Sequence, residues 1–284
     1  MSAREVSTPR LSAGARRRLV HAGLITTALA YVGLLVVAPL VGIAIAALKP
    51  GWSAWRAVFA DPFARHAYLL TGIITLETVV VTAVLGVAVA LVLARDRFHG
   101  RAIVSAFVDL PLAVSPVVVG LAAVLLFGTG GWFEAWFSAR GVQVLYALPS
   151  MLLVTIFISI PFVIREVAPL LQELGTQEEE AARTLGASWP QTFFRVTLPN
   201  IRWGLLYGMA LTTARALGEV GAVLIVSGTI AGQTETATLY ILRAYDEGHD
   251  ATMYIVALTL ALVSIALLAG IEVFKRREEK ELGT

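Results

Sequence analysis

The chain has 284 residues, of which 57% are hydrophobic and 15% are charged. Soluble globular proteins carry about 25% charged residues, so this composition excludes an ordinary soluble domain and indicates a membrane protein. The net charge of +2 does not indicate nucleic-acid binding, because basic residues in a membrane protein mainly set its orientation. Cysteine is absent, which excludes disulfides, thiolate metal sites and a cysteine nucleophile.

Six apolar runs approach or exceed the ~20 residues that a helix needs to cross a bilayer. They predict an all-α polytopic membrane protein with six transmembrane helices, at about residues 20–48, 68–94, 102–127, 144–164, 204–227 and 253–274. The first run follows basic residues, as the apolar core of a signal peptide does. It is longer than the roughly 7–15 residues of such a core, so we expect it to remain as a spanning helix.

Basic residues outside the apolar runs are unevenly distributed between the two sides of the membrane. Sixteen lysines and arginines fall on one side and five on the other. The positive-inside rule therefore places the N and C termini and the polar segment 165–203 in the cytoplasm. Residues 1–19 and 276–284 are predicted to be cytoplasmic tails that flank a membrane domain at 20–275.

The polar segment 165–203 contains signals for two short helices. Residues 176–179, Thr-Gln-Glu-Glu, fit a capping box and predict a helix that starts near Gln177, and Gly186 stands where a left-handed residue would end it. A second cap at 188–191 includes an early proline and predicts another helix. We expect Leu198-Pro199 to turn the chain into the fifth span, which would leave two short helices at an angle.

The same segment carries a recognisable motif, Glu180-Ala181-Ala182, then Gly186, then Leu198-Pro199. On the cytoplasmic side and before the penultimate span, this pattern resembles the coupling loop of bacterial ABC importer permeases. The resemblance implies that these six residues couple the chain to a separate ATPase. Ordinary helix formation would explain the tripeptide alone equally well. Val196 stands where the family pattern usually has isoleucine.

No residues of this chain form a recognisable catalytic or cofactor site. A Gly-x-x-x-x-Gly-Lys-Ser/Thr sequence is absent, so a P-loop for nucleotide phosphates is excluded. The four histidines have neither metal-ligand spacing nor a nucleophile partner. We therefore expect a non-catalytic subunit that binds no metal or cofactor, with ATP and Mg²⁺ used by the partner ATPase.

The fifth predicted span carries small and polar residues at helical spacing. Gly204, Gly208, Thr212, Arg215 and Glu219 fall within an arc of about 80° on one helix face. An arginine near mid-span costs roughly 2.5–3.5 kcal/mol unless it meets a partner or water. Two interpretations remain open. The face either holds an internal Arg215–Glu219 ion pair that fixes packing, or lines the translocation path or a subunit interface.

Two other intramembrane carboxylates, Glu77 and Asp109, have either a packing or a transport role. Asp109 is followed by Pro111, Ser115 and Pro116, so kinks are expected there. Because prolines free backbone carbonyls, we expect the segment 109–116 to face other helices rather than lipid.

Five segments narrow the resemblance to the sulfate, thiosulfate and molybdate group of importer permeases, and most closely to its sulfate/thiosulfate W type. They are residues 109–118, 131–133, 161–163, 198–208 and 213–223, within a similarity that spans about residues 68–274. Val220 stands where that family more often has phenylalanine. The resemblance implies the type I ABC importer permease (MetI-like) fold and a place in the inner (cytoplasmic) membrane.

The same resemblance implies the partners. They are a second, T-type permease, two copies of a cytoplasmic ATPase, and a periplasmic or lipid-anchored sulfate-binding protein that delivers sulfate or thiosulfate. A molybdate or tungstate permease is the alternative within this class. A stand-alone secondary carrier or channel is the alternative outside it, and it would transport without any ATPase.

Overall fold

The computed structural model of the chain describes the backbone of residues 13–96 and 98–281, and the side chains of residues 21–96, 98–270, 272 and 273. Within this part the protein is helical, with no strand. Of the predicted basic tail at 1–19, residues 1–12 lie outside the described residues. Residues 13–19 belong to the first helix. Of the predicted C-terminal tail, residues 282–284 also lie outside the described residues.

Four helices in the described part of the chain are each long and apolar enough to cross a membrane. They are α1 (Ala13–Leu48), α3 (Pro62–Arg95), α7 (Leu148–Leu174) and α13 (Asp250–Glu281). They correspond to the first, second, fourth and sixth predicted spans. Helix α7, the fourth span, ends at Leu174, ten residues past the predicted end at Ile164. The segment that connects it to the fifth span is therefore shorter than the predicted 165–203.

The third and fifth predicted spans are each broken into two helices. The third consists of α4 (Arg101–Ala113) and α5 (Pro116–Phe127), bent by 110°. Ser115 precedes a proline and is extended, with φ −60° and ψ 136°, because the proline ring disfavours a helical residue before it. The sequence predicted a kink here, and the structure has a sharp break.

The fifth span consists of α10 (Leu198–Leu217) and α11 (Gly221–Ser227), and its bend is 56°. The break falls at residues 218–220, where the sequence predicted an uninterrupted helix. Glu219 therefore lies beyond the end of α10 and does not continue the helix face that carries Thr212 and Arg215.

Short helices cap the two ends of the bundle. The end formed by the C-termini of α3 and α7 carries α8 (Gln177–Thr184) and α9 (Trp189–Thr192). The opposite end carries α2 (Trp52–Ala60), α6 (Glu134–Ser138) and α12 (Ala237–Asp246). Tyr240 on α12 contacts Asp61 at the start of α3, which places these elements on the far side from α8.

Helix α7 is the central helix of the bundle and packs against α3 and α10. Glycines permit these close contacts: a Cβ on Gly208 would lie 2.9 Å from the Val163 Cα, and one on Gly86 would lie 2.8 Å from the Val163 Cγ1. Gly204 faces Leu170 and Glu166 on the same helix. At Gly204 and Gly208, this helix face is therefore covered by the chain's own α7.

Candidate coupling site

Helix α8 lies at one end of the bundle, between two glycines whose backbone φ is positive. Gly175 has φ +66° and Gly186 has φ +86°, a region that residues with a Cβ rarely adopt. The helix starts at Gln177 and is followed by left-handed Gly186, as the sequence predicted. We call α8 the coupling helix from here on.

The predicted capping box at residues 176–179 does not form. Thr176 has a helix-like φ/ψ of −109° and −1°, and its hydroxyl donates to the Glu180 carboxylate at 2.6 Å instead of capping backbone amides. Glu179 turns into the bundle and pairs with Arg95 at 2.9 Å. A tertiary ion pair therefore takes the carboxylate that the local pattern assigned to the cap.

The second predicted cap, at residues 188–191, forms. The helix that starts there does not end before the fifth span, as predicted, but continues into it. The Ser188 amide donates to the Gln191 side chain at 2.8 Å, and α9 starts there. A π-helical turn at Phe193–Thr197 then joins α9 directly to α10. Pro199 has no N–H to give, and the wider turn before it lets the helix continue. The expected turn at Leu198-Pro199 and the separate second helix were wrong.

The six motif residues lie along this end of the bundle in different environments. Glu180 and Ala181 are exposed, and Ala182 is half-buried. Gly186 is exposed, and a Cβ built on it meets no atom within 4 Å. Leu198 is half-buried at the start of α10, and Pro199 beside it is exposed.

Large apolar side chains surround these residues, and sequence reasoning did not select them for this site. Leu185 is 89% exposed, and Trp189 and Phe194 are 61% and 63% exposed. The sequence signal that could have identified Leu185 is its place as a single leucine between the charged residues of α8 and Gly186. We call Glu180, Ala181, Leu185 and Gly186 the docking surface.

Arg215 and Glu219 form the predicted ion pair across the break between α10 and α11. Arg215 Nη1 lies 2.6 Å from Glu219 Oε2, and only 3% of the Glu219 side chain is exposed. The other Glu219 oxygen accepts the Ala222 amide at 2.8 Å, so this carboxylate also caps α11. Thr212 is fully buried one turn before Arg215.

Asp109 and Ser115 lie on opposite sides of the break between α4 and α5. Asp109 pairs with Arg165 of α7, whose Nη2 is 2.8 Å from the Asp109 Oδ1. Sequence reasoning placed Arg165 in a loop and did not foresee this pair, because the contact depends on how far α7 extends. Ser115 is exposed at the start of α5.

The opposite end of the bundle contains a network that the sequence did not suggest. Glu235 is fully buried and accepts two bonds from Arg243, at 2.7 and 3.1 Å. The Tyr240 hydroxyl donates to Asp61 at 2.6 Å. Burial raises the pKa of Tyr240, and the acceptor Asp61 raises it further. The hydrogen bond to Glu235 raises the pKa of Arg243.

This architecture, with two broken spans and a short polar helix at one end, is that of an ABC importer permease. A solved bacterial alginate ABC transporter, in complex with a pentasaccharide-bound periplasmic protein, contains a chain with the same fold. It has a TM-score of 0.76 at 20% identity, over 93% of this chain and 96% of that one.

The protein belongs to the family of binding-protein-dependent transport system inner membrane components, whose family model matches residues 83–280. It is 43% identical to a sulfate transport system permease protein CysW of Synechocystis sp., over 89% of this chain and 92% of that protein. It is 35% identical to a sulfate transport system permease protein CysT of Escherichia coli, over 88% of this chain and 91% of that protein.

Proposed function

We propose that this chain is the permease subunit of an ATP-driven importer that moves sulfate or thiosulfate across the inner membrane. A separate ATPase docks on the coupling helix and supplies the energy. The observation that carries this function is the docking surface, where an almost fully exposed leucine projects from a polar helix. The similarity to sulfate permeases over most of the chain supports the substrate.

The docking surface has the features of a protein interface. It combines an apolar side chain, Leu185, with the carboxylate of Glu180 and the small side chain of Ala181. Isolated exposed apolar residues are common, but Trp189 and Phe194 at the same end of the protein are exposed as well as Leu185. Gly186 leaves empty space beside them, which a partner can enter. The six motif residues are therefore proposed as the ATPase contact.

The charge distribution supports an assignment of which end of the bundle faces the cytoplasm. Arg95 and the coupling helix contact each other at one end, and Asp61 and Tyr240 contact each other at the other end. The arginine-rich connections belong to the coupling-helix end. The positive-inside rule then supports a cytoplasmic coupling helix.

A second permease of the T type would cover the outward face of α3. Glu77 lies near the middle of this helix and is exposed, and its side chain has no hydrogen bond or ion pair among the residues that the structure describes. Its neighbours on that face, Ile73, Val80 and Val84, are also exposed. A mid-span carboxylate in lipid costs roughly 2.5–3.5 kcal/mol, which favours a protein or aqueous neighbour over acyl chains.

The remaining partners complete the import cycle. A periplasmic or lipid-anchored binding protein would deliver the anion to the end that carries α12, and two ATPase copies would act at the other end. ATP-driven closure of the ATPases would move the two coupling helices and exchange outward access for inward access. No cofactor is assigned to this chain, and ATP with Mg²⁺ would be bound by the ATPase.

The anion would pass near the two breaks in the spans. Gly221 at the start of α11 contacts Pro116 at the start of α5, so the breaks lie side by side. Arg215, 28% exposed at its side chain, can lower the electrostatic barrier to a dianion there. Thr212, Glu219, Ser115 and Asp109 belong to the same proposed path or to its subunit interface.

The test compares two glycines that both have positive φ and lie at opposite ends of the protein. Gly186 has φ +86° and Gly248 has φ +74°, and a Cβ added to either residue would meet no atom within 4 Å. We expect Gly186→Leu to abolish copurification of the ATPase and uptake of labelled sulfate, with normal membrane insertion. Gly248→Leu carries the same backbone strain and is expected to retain both.

Three outcomes would contradict the proposal. Unchanged copurification of the ATPase with Gly186→Leu would remove the docking role. Anion flux through the purified chain without any ATPase would indicate a secondary carrier or channel. Uptake of labelled molybdate or tungstate in preference to sulfate, in a transport-deficient strain, would assign the chain to the alternative oxyanion.

A further inference from the structure

We infer that Glu179 is a positioning residue that links the coupling helix to the membrane bundle, and that its ion pair with Arg95 transmits the motion of the ATPase. This inference rests on the proposed function, because it assumes that the ATPase acts on the coupling helix. It concerns a residue that precedes the Glu-Ala-Ala motif and faces away from the docking surface.

Two consecutive carboxylates of the coupling helix have opposite environments. Glu179 is 12% exposed, and its Oε1 accepts from Arg95 Nη2 and from the Thr197 hydroxyl, each at 2.9 Å. Glu180 is exposed, and among the described residues its side chain accepts a hydrogen bond only from Thr176 of its own segment. Because successive helical residues differ by about 100° in direction, one short helix presents Glu180 outward and Glu179 inward.

Arg95 connects three elements at once. It is the last residue of α3, and its Nη1 donates to the Leu171 carbonyl of α7 at 2.7 Å while Nη2 binds Glu179. The planar guanidinium directs several donors in fixed directions, so the group can hold two helices in register. Thr197 extends the same cluster to the π-helical turn that leads into α10. Glu179 thus contacts the end of α3 and the turn before α10 directly, and it reaches α7 through Arg95.

Glycines stand at both ends of the coupling helix, so side-chain contacts determine how firmly it is held to the bundle. Gly175 and Gly186 flank α8, and both are glycines with positive φ. A force on such a helix would swing it about these glycines unless side chains hold it. Among the described residues, the side-chain polar links are the buried Glu179 cluster and the more exposed bond from the Asn200 amide to Glu178. The buried cluster is the stiffer of the two, since exposed charged contacts contribute little.

The experiment uses the complete transporter with its ATPase, reconstituted in liposomes, with labelled sulfate as the transported probe. We expect Glu179→Gln to keep the ATPase bound and hydrolysing ATP, and to lower the sulfate transported per ATP by about tenfold, within the usual range of coupling between sites. Glu173→Gln is the matched control, because this carboxylate of α7 is exposed and makes no side-chain hydrogen bond or ion pair among the described residues. It should leave both the ATPase copurification and the sulfate transported per ATP unchanged.

A double-mutant cycle tests whether Arg95 and Glu179 act as one link. Arg95→Gln and the double variant Arg95→Gln/Glu179→Gln should show the same loss as Glu179→Gln alone, because all three remove one link. Additive losses would overturn the inference, as would a normal transport ratio in Glu179→Gln. Loss of the ATPase from Glu179→Gln would also overturn it, by making Glu179 a docking residue. If the unaltered chain did not copurify with an ATPase, the proposed function would fail instead.

Discussion

Arg215 and Glu219 meet at 2.6 Å across the point where the fifth span breaks, so one ion pair joins the end of α10 to the start of α11. This geometry is compatible with both interpretations of the polar face, an ion pair that fixes packing and a lining of the translocation path or of a subunit interface. The pair fixes the bend through the Glu219 cap on Ala222, and it leaves part of the Arg215 guanidinium accessible.

Replacing Arg215 separates these two roles. We expect Arg215→Ala to lower uptake of labelled sulfate by about tenfold while the protein still inserts, because the barrier to a dianion rises without the cation. Glu219→Gln is the control, since it keeps an oxygen for the Ala222 amide and leaves Arg215 charged. Full uptake by Arg215→Ala at normal expression would leave packing as the role of the pair.

A change at Glu77 tests the outward face of α3. If a second permease covers this face, Glu77→Leu should reduce recovery of that subunit in a pull-down. If acyl chains cover it, the same change would remove a buried charge cost of roughly 2.5–3.5 kcal/mol and leave the complex intact. Leu29→Ile serves as the control, since Leu29 is 69% exposed on the peripheral helix α1.

Gly208 tests the packing of α10 on α7. A Cβ there would lie 2.9 Å from the Val163 Cα, which is backbone and cannot rotate away. We expect Gly208→Ala to lower the free energy of unfolding by about 1–3 kcal/mol. Gly72→Ala on α3 meets nothing within 4 Å and is expected to be neutral or slightly stabilising. Thermal unfolding in detergent measures both, and equal melting temperatures would contradict the close contact.

Tyr240 predicts a loss of stability at alkaline pH. Burial and the bond to Asp61 raise its pKa, so the folded protein favours the neutral phenol. Its contribution is fully present below the ordinary tyrosine pKa of about 10 and declines as the pH rises above that value. The melting temperature should therefore fall between about pH 10 and 12 more steeply than in Tyr240→Phe. Parallel curves for the two proteins would disprove the coupling.

The chain's local signals were sufficient for several features of the fold and site. Apolar length located four spanning helices and two bent helix pairs at the third and fifth predicted positions, because a bilayer imposes a minimum helix length on any sequence that crosses it. The start of the coupling helix at Gln177, left-handed Gly186 and the cap at Ser188 followed from local backbone chemistry. The Arg215–Glu219 pair followed from a spacing of four residues.

The tertiary structure decided what depends on contacts between distant residues. Glu179 left its predicted cap because Arg95, far away in sequence, offers a buried ion pair. The glycines of α10 face α7 because the bundle brings Val163 against them. The sharp breaks in the third and fifth spans need neighbouring helices to cover the exposed backbone. Periodicity records the faces of a helix, but it does not record which surface each face will meet.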